Sequence, residues 1–161
     1  MRFISVGVIP VVILCSKDNK VKILIFDDNA DLLECMQLTL EHYNCEVKGT
    51  TDLKHFYYLA DSFKPDAVLI DVNLGEEDGR DICRTLRSDY KYNHLPIVLF
   101  SGMSKNLADH GTYGADAILE KPFEIKFLIP TLMFAIKERK SIQNQMILPV
   151  TSKALPEVIF R

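Results

Sequence analysis

Three carboxylates, a hydroxyl and an ammonium group each follow a short apolar run of this 161-residue chain, and in sequence order they are Asp27, Asp28, Asp71, Ser101 and Lys121. An apolar run that ends on a polar residue is typical of a buried strand with the polar side chain at its tip. In an open parallel sheet the carboxyl ends of the strands line the ligand crevice. We therefore expect these five side chains to share one crevice.

Three carboxylates in one crevice repel one another, and they raise each other's pKa values unless they share a cation. Several hard oxygen ligands suit Mg²⁺, which keeps part of its water and accepts a phosphate oxygen as a further ligand. Lys121 is able to neutralise a second phosphoryl oxygen, and the Ser101 hydroxyl is able to donate a hydrogen bond to a third. The residue types therefore predict a Mg²⁺ site beside a phosphoryl group attached to Asp71 or passing through it.

The elements that position these residues alternate between strands and helices. β-branched and apolar runs predict strands over residues 21–26, 67–70, 97–100 and 117–119, and residues 45–49 are predicted to be a further short strand. Apolar spacing predicts a helix after each strand, with the fourth poorly patterned over residues 104–110 and the last running to about Lys140. This alternation predicts an α/β fold, a doubly wound five-stranded parallel sheet with helices on both faces.

Composition restricts the class of protein. With 48% apolar residues the chain is able to bury the core of one domain, and a net charge of −3 without a long basic run argues against nucleic acid as the main partner. Its cysteines show neither CxxC nor Cys/His metal spacing. Those within the apolar patterns are interpreted as buried thiols, and we expect a cytoplasmic protein.

The two ends of the chain fall outside the predicted domain, which covers residues 20–140. Residues 1–19 form an apolar extension that is too short to span a bilayer. It is interpreted as an accessory segment, as a strand for packing or dimerisation, or as an export signal, although a small-x-small cleavage site is missing. Residues 141–161 are predicted to be a tail that is too short for an output domain.

The motifs resemble those of the response-regulator receiver domain of two-component signalling, in family order and spacing, over about residues 20–140. They are Phe26-Asp27-Asp28-Asn29, Val68-Leu69-Ile70-Asp71-Val72-Asn73-Leu74, Asp78-Gly79, Phe100-Ser101-Gly102 and Glu120-Lys121-Pro122-Phe123. The resemblance implies the CheY-like, flavodoxin-like fold with strand order 2-1-3-4-5. It also implies a single-domain response regulator that signals through protein contacts and turns over no free substrate.

By this resemblance Asp71 accepts a phosphoryl group from the phosphohistidine of a sensor histidine kinase or phosphotransfer protein. Ser101 and Lys121 bind the transferred group, and the Lys121-Pro122 bond is expected to be cis.

The resemblance also implies the ligands of the Mg²⁺ ion. Asp28 and Asp71 bind the metal, Asp27 holds it through water, and the backbone carbonyl of Asn73 is a further ligand.

One position departs from the family pattern. Three residues before the lysine the family usually has Tyr or Phe, which swings inward on activation, whereas this chain has Ile118. A β-branched aliphatic side chain has few rotamers and no ring, so this readout does not carry over.

Two other functions compete with this interpretation. A dehalogenase-type phosphatase needs a second Asp two residues after its nucleophile, and that place holds Asn73. A phosphate-independent pseudo-receiver commonly lacks the acceptor or the acids, which this chain retains.

The last predicted helix is apolar nearly all round, although one apolar stripe is enough to cover a sheet. Its outer face is therefore expected to be covered by the N-terminal segment, by the C-terminal tail, or by a second copy in a homodimer.

Overall fold

A computed structural model describes residues 20–102 and 113–147, with side chains described as far as residue 144. The predicted helix over residues 104–110 and the two ends, residues 1–19 and 148–161, lie outside the described residues. The described elements are β1 (Val21–Phe26), α1 (Ala30–His42), β2 (Cys45–Thr50), α2 (Leu53–Phe63), β3 (Ala67–Asp71), β4 (Asn73–Leu74), β5 (Glu77–Asp78), α3 (Gly79–Ser88), β6 (Ile97–Ser101), β7 (Ala117–Glu120) and α4 (Ile125–Ile147).

Five of the strands form one parallel sheet in the order β2-β1-β3-β6-β7. When only these strands are counted, the order is 2-1-3-4-5, so the predicted doubly wound fold is confirmed. The register aligns Phe26 with Ile70, Asp71 with Phe100, and Ser101 with Glu120. All of these strands therefore end at one edge, which carries the predicted site residues.

The sheet separates two hydrophobic cores. One contains side chains of α2, α3 and one face of the sheet, and the other contains side chains of α1, α4 and the opposite face. β3 and β6 are buried along their whole length because helices cover both of their faces, which explains their uninterrupted apolar sequences. Each fully buried aliphatic or aromatic side chain contributes about 1.5–3 kcal/mol relative to exposure.

Asparagine and aspartate side chains cap three helices. Asn29 accepts a hydrogen bond from the backbone N–H of Leu32 at the start of α1, and Asp52 accepts one from His55 at the start of α2. Asp78 accepts one from the N–H of Arg80 in the first turn of α3. Each cap satisfies a backbone donor that has no partner within the helix.

The structure differs from the sequence predictions in three places. The last helix continues past Lys140 to Ile147, and the Gln143 side chain donates to the carbonyl of His94 at 3.1 Å. β4 and β5 form an antiparallel hairpin in a stretch that was expected only to turn. Cys45 and Cys83 are buried as expected, but Cys35 on α1 is exposed.

Pro130 is the sixth residue of α4. In the first turn a missing N–H would cost nothing, but Pro130 lies beyond that turn and therefore removes one hydrogen bond of the helix. Across residues 20–102 and 113–147, no helix is long and apolar enough to cross a membrane.

Candidate functional site

Three carboxylates meet where β1 and β3 end. Asp27 and Asp71 are buried, with exposed fractions of 1% and 6%, while the neighbouring Asp28 is exposed. One carboxylate oxygen from each of the three lies within 4.8 Å of the others. The arrangement gives a cluster with two inner acids and one acid at its mouth.

Lys121 reaches into this cluster from the end of β7. Its Nζ lies 3.0 Å from Oδ2 of Asp27 and 3.2 Å from Oδ2 of Asp71. The Lys121-Pro122 peptide bond is cis, as the resemblance implied. One ammonium group therefore bridges the two buried carboxylates.

Asp27 is held from two sides. Its Oδ1 accepts a hydrogen bond from the backbone N–H of Asn29 at 2.8 Å, and its Oδ2 accepts one from Lys121. Asn29 also caps α1, so the turn that starts the helix fixes the orientation of this acid.

The pKa of Asp71 is raised above its ordinary value. Burial is the main cause, the charge of Lys121 opposes it, and the nearby Asp27 adds to it. Among the residues that the structure describes, Oδ1 of Asp71 has no hydrogen-bond partner. A buried carboxylate oxygen without a donor, beside two further acids, fits a site that binds a hard cation.

Ser101 is the last residue of β6, and it is 1% exposed. Its backbone carbonyl accepts a hydrogen bond from the N–H of Lys121 at 2.8 Å, which ties the tips of β6 and β7 together. The hydroxyl and the ammonium group are thus carried by neighbouring strands.

Asn73 lies two residues after Asp71, is exposed, and pairs with Asp78 in the β4–β5 hairpin. The hairpin turns at Gly75, whose φ of +67° is a conformation that favours glycine. A Cβ at Gly75 would lie 3.8 Å from Oδ2 of Asp28, so the turn passes directly beside the acidic cluster.

Gly79 contributes to the site through its lack of a side chain. It is the first residue of α3, and its N–H donates to the carbonyl of Val72 at 3.0 Å. A Cβ at this position would lie 1.9 Å from the backbone oxygen of Asp71. The Asp78-Gly79 pair is visible in the sequence, but this close approach is a tertiary contact with no local signal.

Phe100 is a second contributor that sequence reasoning did not assign. Its ring is fully buried, and Nζ of Lys121 lies 4.2 Å from the ring centroid. Phe123 packs edge-on against the same ring, with the centroids 6.3 Å apart. In the sequence Phe100 looks like any other apolar strand residue.

Ile118 is partly buried in β7, opposite Leu99 of β6, and it packs against the core on the α2 and α3 side. The nearby Tyr113 also packs against this core, and the guanidinium of Arg84 lies 4.9 Å from its ring centroid. Position 118 therefore carries no aromatic ring for the readout that the resemblance implies.

A second charged cluster lies at the opposite edge of the sheet. The carboxylate of Asp116, which is 3% exposed, contacts Arg87 and Arg139 at 2.5 Å each and accepts a hydrogen bond from the N–H of Ile97 at 2.7 Å. Arg87 also donates to the backbone carbonyls of Leu95 and of other loop residues. This cluster joins α3, β6, β7 and α4, and its carboxylate is fully paired.

An apolar groove of about 370 Å³ runs between α1 and the start of α4. The residues that line it include Leu32, Cys35, Met36, Lys121 and Phe123. Lys121 therefore borders both this groove and the acidic cluster.

The fold and the acidic cluster together define a signalling domain of the receiver class. The family model described as the response regulator receiver domain matches residues 23–133, from β1 into α4. The chain belongs to this family, whose members are phosphoacceptor modules of two-component systems.

The chain is similar to known proteins over part of their length. Protein RcaC of Microchaete diplosiphon is 29% identical over 103 residues, which cover 63% of this chain and 16% of RcaC. The response regulator protein GraR of Staphylococcus epidermidis is 27% identical over 134 residues, which cover 77% of this chain and 58% of GraR. The chain thus spans less than two thirds of the length of either relative.

The chemotaxis response regulator CheY4 of Vibrio cholerae superposes with a TM-score of 0.61 at 22% identity, over 75% of this chain and 99% of CheY4. A sensor protein from Polaromonas has a TM-score of 0.68 at 26% identity, over 75% of this chain and 99% of that protein. The likeness to CheY4 supports the fold.

Proposed function

We propose that this receiver domain accepts a phosphoryl group on Asp71 from a phosphohistidine, and that it passes the signal on through protein contacts. The observation that carries the proposal is the buried Asp71 carboxylate, with one oxygen 3.2 Å from the Lys121 ammonium and the other without a partner among the described residues. A carboxylate in this position can place one oxygen on a metal ion and attack phosphorus with the other, and Lys121 lies beside it to neutralise the incoming charge.

Asp27, Asp28, Asp71 and the backbone carbonyl of Asn73 would hold Mg²⁺, which supplies charge neutralisation for phosphoryl transfer. The donors are all oxygens, and one of them, Oδ1 of Asp71, is buried and unpaired within the described part of the chain. Lys121, 3.2 Å from the Asp71 carboxylate, would bind one phosphoryl oxygen, and the buried Ser101 would donate to another. The domain would catalyse only its own phosphorylation and dephosphorylation.

Acetyl phosphate, a small phosphoryl donor, tests the proposal directly. With Mg²⁺ present we expect the parent protein to gain one phosphoryl group, and we expect Asp71→Asn and metal-free protein to gain none. Asp61→Asn is the matched control, because Asp61 lies on the exposed surface of α2 and pairs with Lys91. Phosphorylation of Asp71→Asn at the parent rate would show that the acceptor is wrong.

Phosphoryl donors also separate the competing functions. A pseudo-receiver would gain no phosphoryl group from acetyl phosphate, and it would bind its partner equally well with and without a phosphoryl donor. A phosphatase with an aspartate nucleophile would release phosphate continuously from a generic phosphate ester.

The proposed partners are a sensor histidine kinase or phosphotransfer protein and a downstream protein target in the cytoplasm, with no role for nucleic acid. Capture of partners with and without beryllofluoride, a mimic of the acyl phosphate, tests the switch. We expect the captured set to change with beryllofluoride. Identical captured sets would contradict phosphate-dependent signalling.

The lifetime of the acyl phosphate is proposed to depend on the side chains two residues after the acceptor and two after the hydroxyl. Asn73 is exposed beside the cluster and offers an amide that can orient water, whereas Met103, outside the described residues, offers an apolar chain that can exclude it. We expect Asn73→Met to lengthen the lifetime and Met103→Glu to shorten it. Equal lifetimes would show that neither side chain controls the water.

We further propose a homodimer through α4. Phe127 and Phe134 are 53% and 43% exposed and lie seven residues apart, on one face of the helix. Sedimentation equilibrium is expected to show a dimer that Phe134→Lys weakens, and Leu38→Lys, at an exposed apolar site of α1, is the control. A monomer at high protein concentration would contradict this assembly.

A further inference from the structure

Lys121 makes a contact with an aromatic ring that the acidic cluster does not require. Its Nζ lies 4.2 Å from the centroid of the Phe100 ring, while the same atom is 3.0 Å and 3.2 Å from carboxylate oxygens of Asp27 and Asp71. The ammonium group therefore has acids on one side and a π face on another. A cation at this distance from a ring is attracted by its quadrupole.

The ring itself has no freedom to move away. Phe100 has no exposed surface, its backbone is paired with Asp71 in the sheet, and Phe123 packs edge-on against it with an interplanar angle of 81°. Phe123 follows Lys121 by two residues, so the segment that carries the lysine also packs against the Phe100 ring. The ring is thus a fixed platform under a long and otherwise adaptable side chain.

We propose that Phe100 is a positioning residue that holds the Lys121 ammonium in the site through a cation–π contact. This inference rests on the proposed phosphoryl transfer to Asp71. A metal ion bound by the acids would neutralise part of their negative charge, so the acids would attract Lys121 less strongly. The ring has no formal charge to be neutralised. Its attraction for the ammonium group would therefore persist in the metal-bound state in which phosphoryl transfer takes place.

The shape of this interaction suits a lysine that has to shift. A hydrogen bond to a carboxylate is directional, whereas the face of a ring attracts a cation over a broad area. Lys121 can therefore turn from the carboxylate of Asp71 toward a phosphoryl oxygen without leaving the ring. Desolvation by the ring also strengthens the attraction between the ammonium group and the developing negative charge.

Ring fluorination tests the electrostatic part of the contact, because each fluorine weakens the quadrupole and changes the shape little. Fluorinated phenylalanines with one, two and three fluorines are incorporated at position 100, and phosphorylation by acetyl phosphate is followed with Mg²⁺ present. We expect the logarithm of the rate to fall steadily with fluorine number. For Phe100→Leu we expect a rate about five- to thirtyfold below that of the parent.

Phe56 is the matched control for fluorination. Its ring is also fully buried, and it stacks on Phe26 with the centroids 5.3 Å apart. The same fluorine series at Phe56 is expected to leave the rate unchanged. Equal slopes at Phe56 and Phe100 would overturn the proposal, because they would report packing alone.

A second readout needs neither metal nor donor. Groups above the face of an aromatic ring are shielded, so the side-chain NMR signals of Lys121 in metal-free protein are expected to lie upfield and to return to ordinary values in Phe100→Leu. Ordinary Lys121 shifts in a parent protein that is phosphorylated normally would overturn this inference and leave the proposed function intact. A parent that shows the upfield shifts but is never phosphorylated would overturn the proposed function instead.

Discussion

Substitution of Gly79 by alanine is expected to destabilise the domain and to disable its site, although alanine usually improves a helix. Gly79 is the first residue of α3, and there Gly→Ala would ordinarily stabilise the protein by about 0.4–1 kcal/mol. The structure reverses this expectation. The new Cβ would lie 1.9 Å from the backbone oxygen of Asp71 and 2.8 Å from its carbonyl carbon.

The magnitude follows from which atoms collide. The start of α3 and the end of β3 must move apart by about 1 Å before the new Cβ lies 3.0 Å from the Asp71 oxygen. The obstructing atoms are backbone atoms of a buried strand, so no change of rotamer relieves the collision. Overpacking of a core costs about 1–3 kcal/mol, and a backbone collision belongs at the upper end. After the ordinary gain from alanine, we expect a net loss of about 2–3 kcal/mol.

The site should suffer beyond this loss of stability. The displaced atoms belong to Asp71, whose carboxylate lies 3.2 Å from Lys121, so a shift of this size moves the proposed acceptor relative to its cation. Misplacement of a reacting group by about 1 Å costs about a hundredfold in rate. We expect phosphorylation by acetyl phosphate to slow by about this factor under conditions where the variant is still folded.

Urea unfolding gives the free-energy change, and mass spectrometry of the phosphorylated protein gives the rate. Gly102→Ala is the control for stability, because a Cβ at this exposed position would meet nothing within 4 Å among the described residues. A Gly79→Ala protein as stable as the parent, or one that is phosphorylated at the parent rate, would refute the reasoning.

Three further predictions concern other parts of the molecule. Asp116→Ala should cost about 3–5 kcal/mol in urea unfolding, because it leaves two largely buried arginines without their carboxylate, whereas removal of the exposed Asp61 should have a much smaller effect. Hydrogen bonds from Arg80 lower the pKa of Asp78, so Asp78→Ala should cost about 1 kcal/mol of stability above about pH 4. This difference between parent and variant should vanish as the pH falls through the lowered pKa. A difference of the same size at low pH would contradict this prediction. Burial raises the pKa of Cys83 to about 11, so iodoacetamide at about pH 8 should alkylate the exposed Cys35 before Cys83, as peptide mapping would show.

Local pattern was sufficient for the sheet. β1 was predicted with both of its ends correct, and the other strands of the sheet extend one residue beyond their predicted ends. The signal is clearest for β3 and β6, which are buried on both faces and are therefore apolar along their length up to the polar residue at the tip. The same rule indicated that the polar residues at the strand ends lie at one edge, where Asp27, Asp71 and Lys121 are in contact.

Features that depend on contact between distant segments were not predictable in this way. The length of α4 is one example, because polar residues after Arg139 break the apolar pattern while tertiary contacts from Arg139 and Gln143 hold that part of the helix against the sheet and a loop. The exposure of Cys35 is another, since it lies beside the apolar Leu32 and Met36 of α1 and only packing decides which face of a helix turns inward.

The sequence by itself determined the family, the order of the elements and the residues gathered at the edge of the sheet, because all of these follow from short-range pattern and motif. Only the tertiary structure decided how closely those residues approach one another. The approach of Gly79 to the Asp71 backbone and the position of the Phe100 ring under Lys121 join residues that are not neighbours in the chain. Such contacts are set by the register of the strands and the packing of the helices, which no local run of residues encodes.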